Sequence, residues 1–180
     1  MAKQLTKVIT GLVRFSYASV LTPKTFDGNT FYSVDLLISK KDSGTIDKVK
    51  GAISAAKTNG EQRWPEKFTD IRDPLHDGDE EKPEDENYQG CYFLKSKSNQ
   101  QPTVVDKDLE PIESSKVFYS GCYGRASVNF YAYNKAGNQG VGVGLSNVQK
   151  LREGKALGNM ATAEEDFSEL DDLEDENLPF

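Results

Sequence analysis

The pattern of apolar and polar positions predicts β-strands along much of the chain. Residues 7–20, KVITGLVRFSYASV, are rich in β-branched and aromatic residues and predict a long strand bent at Gly11. Residues 31–39, FYSVDLLIS, alternate in polarity and place Leu36 and Ile38 on one face. The segment between these strands, LTPKTFDGNT, predicts a turn.

The second half of the chain continues this pattern. Strands are predicted in four further segments: GCYFLKSKS at 90–98, the short PTVVD at 102–106, SGCYGRASVNFYAYN at 120–134 and VGVGLSNVQKL at 141–151. The Asn- and Gly-rich stretch NKAGNQG predicts the turn of a hairpin between the last two strands.

One segment has the period of a helix. In TIDKVKGAISAAK, residues 45–57, apolar side chains recur at helical spacing behind a capping Ser43 or Thr45. The helix is expected to end before the Asn-Gly pair at 59–60. Residues 61–90 hold three prolines and the acidic stretch HDGDEEKPEDE, which predicts an irregular loop.

These elements predict a mainly β fold. The best match is a five-stranded antiparallel barrel of the OB type with one helix and long loops. A β-sandwich is the alternative that the pattern leaves open. We expect residues 1–158 to form this OB-fold domain and residues 159–180 to form a disordered acidic tail.

Charge separates the tail from the rest of the chain. Nine of the 29 acidic residues and none of the 22 basic residues lie in residues 159–180. The remaining 20 acids against 22 Lys and Arg leave the body slightly positive, although the whole chain carries −7. Such a block of like charge repels itself and is typical of an extended interaction tail.

The sequence predicts a cytoplasmic protein without membrane contact. No apolar run reaches the roughly 18 residues of a membrane helix. The first residues, MAKQLTKVITG, lack the apolar core of a signal peptide.

The segment 120–134 presents a candidate binding surface. One face is small and apolar and is expected to face the core, whereas the other carries Tyr123, Arg125, Tyr131 and Tyr133. Aromatic rings stack on bases of any sequence, at about 1–3 kcal/mol per base, and Arg contacts phosphates or stacks on bases. Cross-strand tyrosine pairs that stabilise a solvated sheet explain the same pattern, so both interpretations stay open.

A second strand repeats the mixture of aromatic and cationic side chains. Phe93, Lys95 and Lys97 share one face of CYFLKSKSN, and the first strand adds Arg14. Cations beside aromatics on several strands are typical of a groove for single-stranded nucleic acid. The candidate nucleic-acid-binding residues are therefore Tyr123, Arg125, Tyr131, Tyr133, Phe93, Lys95, Lys97 and Arg14.

Catalytic and metal-binding patterns are weak. The acids of residues 77–86 are nearly contiguous in a Pro-interrupted loop and do not match a calcium loop, which favours a solvated loop over a nuclease metal site. One histidine and two cysteines fall short of a structural zinc site, and the sequence has no GxSxG or GxxxxGK[ST] motif. Gly142 and Gly144, the last two glycines of GNQGVGVG, are expected to allow close approach inside the barrel. We expect no enzymatic activity, no metal and no cofactor.

Two parts of the chain resemble known proteins. The acidic tail with its terminal ENLPF resembles the tails of bacterial and phage single-stranded DNA-binding proteins, which end in Phe and recruit replication and repair proteins. The body resembles a phage family of such proteins, once classed as a domain of unknown function and akin to the T7-type phage single-strand binder. The resemblance lies in KVITGLVRFSYA, PLHDGDEEKPEDENYQGCYF, FYSGCYGRASVNFYAYN and GVGLSNVQKLREGKALG. It implies an OB-fold and single-strand binding.

The sequence thus predicts a non-enzymatic protein that coats and protects single-stranded DNA in phage DNA replication or recombination. The tail is expected to compete with DNA for the groove and to recruit replication proteins such as a polymerase, helicase or primase. The tail residues expected to act are Asp171, Asp172, Glu174, Asp175, Glu176, Leu178, Pro179 and Phe180. A homodimer stays open, as do two other functions: a protein-interaction adaptor that uses the barrel as a platform for the tail, and a metal-dependent nuclease.

Overall fold

The computed structural model describes residues 5–157, which form eight strands and two helices. The strands are β1 (Lys7–Ile9), β2 (Val13–Phe26), β3 (Asn29–Ser39), β4 (His76–Asp77), β5 (Cys91–Ser98), β6 (Thr103–Val105), β7 (Tyr123–Lys135) and β8 (Asn138–Arg152). The helices are α1 (Ser43–Arg63) and α2 (Gly78–Glu81). The tail predicted for residues 159–180 lies outside the described residues.

Five strands close into a barrel in the order β7, β2, β3, β5, β8, and β8 pairs back with β7. β5 runs parallel to β8, whereas the other neighbours in the barrel are antiparallel. β1 pairs with β7 and β6 pairs with β8, which extends the sheet beyond the barrel. The predicted five-stranded OB-type barrel is confirmed.

The barrel core is built from the strand faces that the alternation predicts. Val34, Leu36 and Ile38 of β3 are buried, as are Val128 and Phe130 of β7. Helix α1 adds an apolar stripe to the same core: Ile46, Val49, Ile53 and Ala56. The outer faces of the strands are left for polar and aromatic side chains.

Two predicted strand boundaries differ from the structure. A break at residues 10–12 separates β1 from β2, where the sequence predicted one bent strand. The predicted long turn LTPKTFDGNT is wrong, because β2 and β3 pair as far as Phe26 and Asn29. The turn consists of Asp27 and Gly28, whose φ angles of 51° and 76° fit a two-residue hairpin turn of type I′.

Helix α1 has a different cap from the predicted one and is longer. Its N-cap is Asp42, whose carboxylate accepts a hydrogen bond from Thr45 N at 3.1 Å, so neither Ser43 nor Thr45 is the cap. The helix continues through Gly60, where the ring of Phe68 fills the space that a side chain would take. Within residues 5–157, neither helix combines the length and apolar character that a bilayer crossing needs.

The segment predicted as an irregular loop contains an ordered cover over the barrel. Residues 76–90, which we name the strap, include β4 and α2, and β4 pairs with β5. The Lys40 ammonium lies 2.7 Å from a carboxylate oxygen of Asp77 and 2.7 Å from one of Asp79. These hydrogen bonds hold the pKa of both carboxyl groups below its usual range. The strap is thereby tied to the end of β3.

Candidate nucleic-acid interface

Four of the predicted binding residues line one groove on the outer surface of the barrel. Tyr131 and Tyr133 of β7 face Lys95 and Lys97 of β5 across a volume of about 560 Å³. We name this space the aromatic groove. Tyr131 is 39% exposed, so part of its ring is open to solvent. The structure thus brings together four of the eight candidate residues, two aromatic and two cationic.

Glycines on β8 make room for the tyrosine rings. Gly142 pairs with Tyr131, and Gly140 pairs with Tyr133. A Cβ atom at either glycine would collide with the ring of its partner, so each ring lies against bare backbone. The sequence interpretation that glycines such as Gly142 allow close approach inside the barrel is wrong, because they lie on the outer face. Burial against this backbone raises the pKa of Tyr131 above its ordinary value of 10.0.

The strand register brings the lysines beside the tyrosines. Lys97 pairs with Gly144 in the parallel ladder, which places Lys95 alongside Gly142 two residues earlier. Because Gly142 pairs with Tyr131, a row of outward-facing positions crosses three strands from Lys95 to Tyr131. Adjacent strands are about 4.8 Å apart, so cation and ring lie within reach of one nucleotide.

The groove continues past Tyr131. On its far side a second hollow of about 420 Å³ is lined by Lys97, Asn129 and Gly144, among others. Tyr131 and Lys97 border both spaces. The tyrosine ring therefore stands in the middle of one extended channel rather than at its edge.

Three basic side chains of the groove were not predicted from the sequence. Arg72 and His76 come from the segment predicted as a loop, and Lys135 comes from the end of β7. Arg72 is placed by backbone pairing, because its N donates to Gln139 O at 3.2 Å. No periodicity in the sequence signals this pairing. Asp73 is the one acid among the described residues that line the groove. The net charge of the groove is therefore positive.

Phe93 does not reach the groove surface, which corrects its predicted stacking role. Its side chain is 1% exposed and lies beneath the strap. Tyr88 contacts it edge to face at a centroid distance of 5.0 Å, and His76 stacks on it at 4.9 Å. Phe93 shares a strand face with Lys95, as predicted, but the strap turns this part of the face into a small core with Leu37.

Arg14 and Tyr123 lie together at the other end of β7, away from the aromatic groove. The Arg14 guanidinium lies 5.3 Å from the centre of the Tyr123 ring. It also donates to Gly121 O at 3.1 Å and to Lys155 O at 2.7 Å. Arg14 therefore binds the segment that follows β8, and Tyr123 packs against Arg14. Their placement does not support the predicted contacts with DNA.

Arg125 occupies a third location. It lines a cleft of about 370 Å³ with Lys7, Ile9 and Leu109. Its Nε donates to Gln149 Oε1 at 2.6 Å. The residues predicted as one binding surface, including Phe93 beneath the strap, are thus divided among four locations. Of these, the aromatic groove alone combines open aromatic rings with several cations.

A buried carboxylate lies under the basic surface beside the groove. Asp35 accepts a hydrogen bond from the Tyr88 hydroxyl at 2.9 Å. Burial raises the pKa of Asp35, while this hydrogen bond and the charges of Lys95, Lys82 and Lys24 lower it by a smaller amount. The charges of these three lysines therefore favour the ionised form of Asp35 without outweighing the effect of burial.

Three acids of the strap contact basic side chains. Asp77 and Asp79 share the Lys40 ammonium, and Glu81 contacts His76 at 2.9 Å. Within residues 5–157, no group of three or more His, Cys, Asp or Glu side chains is arranged to hold a metal ion.

Sequence and structure comparisons place the chain in a family. A family model described as Enterobacter phage Enc34, ssDNA-binding protein, matches residues 6–178. The chain belongs to this family. The protein p50 of Acyrthosiphon pisum secondary endosymbiont phage 1 is 32% identical over 181 residues, covering 92% of this chain and 95% of p50.

Solved structures share the fold. The single-stranded DNA-binding protein of bacteriophage Enc34, solved in complex with ssDNA, superposes with a TM-score of 0.73 at 21% identity, covering 85% of this chain and 90% of that one. The single-stranded DNA-binding protein gp2.5 of bacteriophage T7 superposes with a TM-score of 0.64 at 17% identity, covering 91% of this chain and 95% of that one. The predicted membership of a phage family akin to the T7-type protein is confirmed.

Proposed function

We propose that the protein binds single-stranded DNA in the aromatic groove. The observation that carries this proposal is the placement of Tyr131 and Tyr133 in one channel with Lys95 and Lys97. Aromatic rings supply stacking that tolerates any base, and the ammonium groups contact the phosphates. Arg72 and Lys135 line the same channel and add two cations that the sequence did not single out. Membership of a family described by its ssDNA-binding protein supports the same function.

The biological role that follows is the coating and protection of single strands during phage DNA replication or recombination, in the host cytoplasm. The protein acts without catalysing a reaction. Groove contacts to backbone and base faces carry no sequence preference, which suits a protein that must cover any exposed strand.

The proposal extends to the acidic tail. Residues 159–180 carry nine carboxylates, whereas the body has a small positive charge. Because the tail is tethered to the body, its effective concentration at the groove reaches about 1 mM or above. The tail therefore competes with DNA for the groove. When DNA displaces it, its acidic stem and terminal Phe180 become available to replication proteins such as a polymerase, helicase or primase.

The test is a fluorescence-anisotropy titration of labelled oligo(dT) and of a matched duplex at two salt concentrations. Full-length protein, its Tyr131→Ala variant and a chain ending at Gly158 are compared. We expect salt-sensitive single-strand binding that weakens by about 1–3 kcal/mol in Tyr131→Ala and tightens without the tail. Absence of single-strand binding by every chain would contradict the proposal and favour the adaptor function. Unchanged or weaker binding by the shortened chain would contradict tail competition alone.

A further inference from the structure

Tyr17 has a backbone conformation that aromatic residues rarely adopt. Its φ is 47°, and among residues 5–157 it is the one aromatic residue with a positive φ. It lies inside β2, where the pairing with β3 is irregular between Ser16 and Ser19. Glycine adopts this conformation without steric cost, whereas tyrosine is strained by it. Burial does not compensate for the strain, because the Tyr17 side chain is 56% exposed. Strained backbone conformations of this kind cluster at functional sites, which indicates a functional role for the Tyr17 ring.

The Tyr17 ring stands at the border of a cleft outside the aromatic groove. The cleft has a volume of about 540 Å³, and Ser16, Asn87 and Ser120 also line it. The Lys82 ammonium lies 4.9 Å from the centre of the Tyr17 ring. An open aromatic ring beside a cation is the same pair of groups that the aromatic groove presents with Tyr131 and Lys95.

A basic path joins this cleft to the aromatic groove. The Lys82 ammonium lies 5.7 Å from the centre of the Phe93 ring, and the Lys95 ammonium lies 5.9 Å from the same centre. Lys95 lines the groove, so the two ammonium groups lead from the groove to Tyr17. The strand register agrees, because Lys95 pairs with Asp35 and Asp35 pairs with Ser16, the neighbour of Tyr17.

We propose that Tyr17 is a second base-stacking platform, used by a nucleotide of the same single strand after it leaves the aromatic groove along Lys95 and Lys82. The base stacks on the Tyr17 ring, and its phosphate lies near the Lys82 ammonium. Asp85 also lines the cleft, and its negative charge favours a neutral base there over a phosphate. This inference rests on the proposed function and extends the path of the strand across β3 to β2.

The site also lies where the tail begins. Leu157 lines the same cleft, and its N donates to Ser120 O at 2.7 Å. A strand that reaches Tyr17 therefore passes beside the point from which the acidic segment continues. DNA long enough to occupy the cleft should displace the tail more effectively than DNA that fills the aromatic groove alone.

The experiment measures affinity as a function of oligo(dT) length with the full chain and its Tyr17→Gly, Tyr17→Asn and Tyr17→Phe variants. Gly and Asn accept a positive φ, so the first two variants should melt at or above the wild-type temperature. For the shortest oligonucleotides that the wild-type protein still binds, these two variants should have wild-type affinity. For long oligonucleotides their affinity should be at least about fivefold lower. Tyr17→Phe keeps the ring and should bind all lengths normally.

Two outcomes separate this inference from the proposed function. Wild-type affinity of folded Tyr17→Gly and Tyr17→Asn for every length would overturn the second platform while leaving the groove intact. Tyr131→Ala, the groove control, should bind more weakly at every length, and unchanged affinity of this variant would contradict the groove itself. Crosslinking with oligonucleotides that carry 5-iodouracil gives a direct readout: long oligonucleotides should label Tyr17, and absence of this label would also overturn the inference.

Discussion

The ring of Tyr131 occupies the space that a side chain at position 142 would need. Tyr131 and Gly142 are cross-strand partners on β7 and β8, and a Cβ atom at Gly142 would collide with two ring carbons and the hydroxyl oxygen of Tyr131. The position of the proposed stacking ring is thus set by the absence of a side chain on the neighbouring strand. Four predictions follow from relationships of this kind.

Gly142→Ala should weaken DNA binding although it removes no DNA contact. The added methyl group must push the Tyr131 ring from its place, and the stacking lost is worth up to about 3 kcal/mol per base. Anisotropy titration with oligo(dT) measures the change, and thermal unfolding checks that the variant is folded. Gly51→Ala on α1 is the control, because a methyl group there would meet nothing within 4 Å and would lie outside the channel. Equal affinities for the two variants would contradict this account of the groove.

Lys97→Gln should reduce the salt dependence of DNA binding and leave the fold intact. Lys97 is exposed and borders both parts of the channel around Tyr131. If it neutralises one phosphate, the slope of log K against log salt concentration should become less steep by about 0.7. The measurement is a titration series at several salt concentrations. Lys48→Gln, an exposed position on α1, serves as the control and should keep the full slope.

Phe93→Ala should act on stability, because the ring is buried under the strap. Loss of a buried Phe side chain costs about 3–5 kcal/mol of unfolding free energy. Urea denaturation measures this loss. Phe26→Ala is the matched control: Phe26 is 75% exposed at the β2–β3 hairpin, and its loss should cost less than about 0.5 kcal/mol. A stable Phe93→Ala protein with weak DNA binding would restore Phe93 as a stacking residue.

Asp35 should give the protein a pH-dependent stability. Burial raises the pKa of Asp35 in the folded state above its ordinary value of 3.8. Between these two pKa values the folded state holds more protons than the unfolded chain, so the free energy of unfolding falls as pH rises through that range. Each unit by which the pKa is raised is worth about 1.4 kcal/mol.

Asp35→Asn should remove this fall, since the amide oxygen still accepts the hydrogen bond from Tyr88. The stability of the variant relative to wild type should therefore grow as the pH rises above 3.8 and level off above the raised pKa of the folded state. Urea denaturation at several pH values measures the difference. Asp47→Asn, at an exposed position of α1, controls for a general charge effect. A constant difference across the range would show that Asp35 is not the titrating group.

The strand faces could be predicted from the sequence because the period of two is a local property of the chain. The inward placement of Val128 and Phe130 and the outward placement of Tyr131 and Tyr133 follow from it directly. No sequence pattern predicts that β5 pairs with β8. This pairing in the barrel brings the outer faces of the two strands side by side.

The misassigned residues depend on contacts between distant segments. Phe93 has the correct strand face but is covered by the strap, and no pattern within β5 signals that cover. Arg72 reaches the groove through a bridge to Gly140 in a segment with no periodicity of its own. The side of the barrel on which Gly142 lies could have been predicted, because Val141 and Val143 alternate with it and take the core positions.

The order of the barrel strands also has a consequence for folding. The pairing of β2 with β7 joins position 14 to position 123, whereas β2 with β3 and β7 with β8 are hairpins of adjacent segments. Pairing of such distant segments requires closure of a long loop, which slows folding relative to local pairing. During synthesis, the β2–β3 hairpin is complete well before its partner strand β7 is made. The aromatic groove, which needs both β5 and β7, therefore forms only when nearly the whole body has left the ribosome.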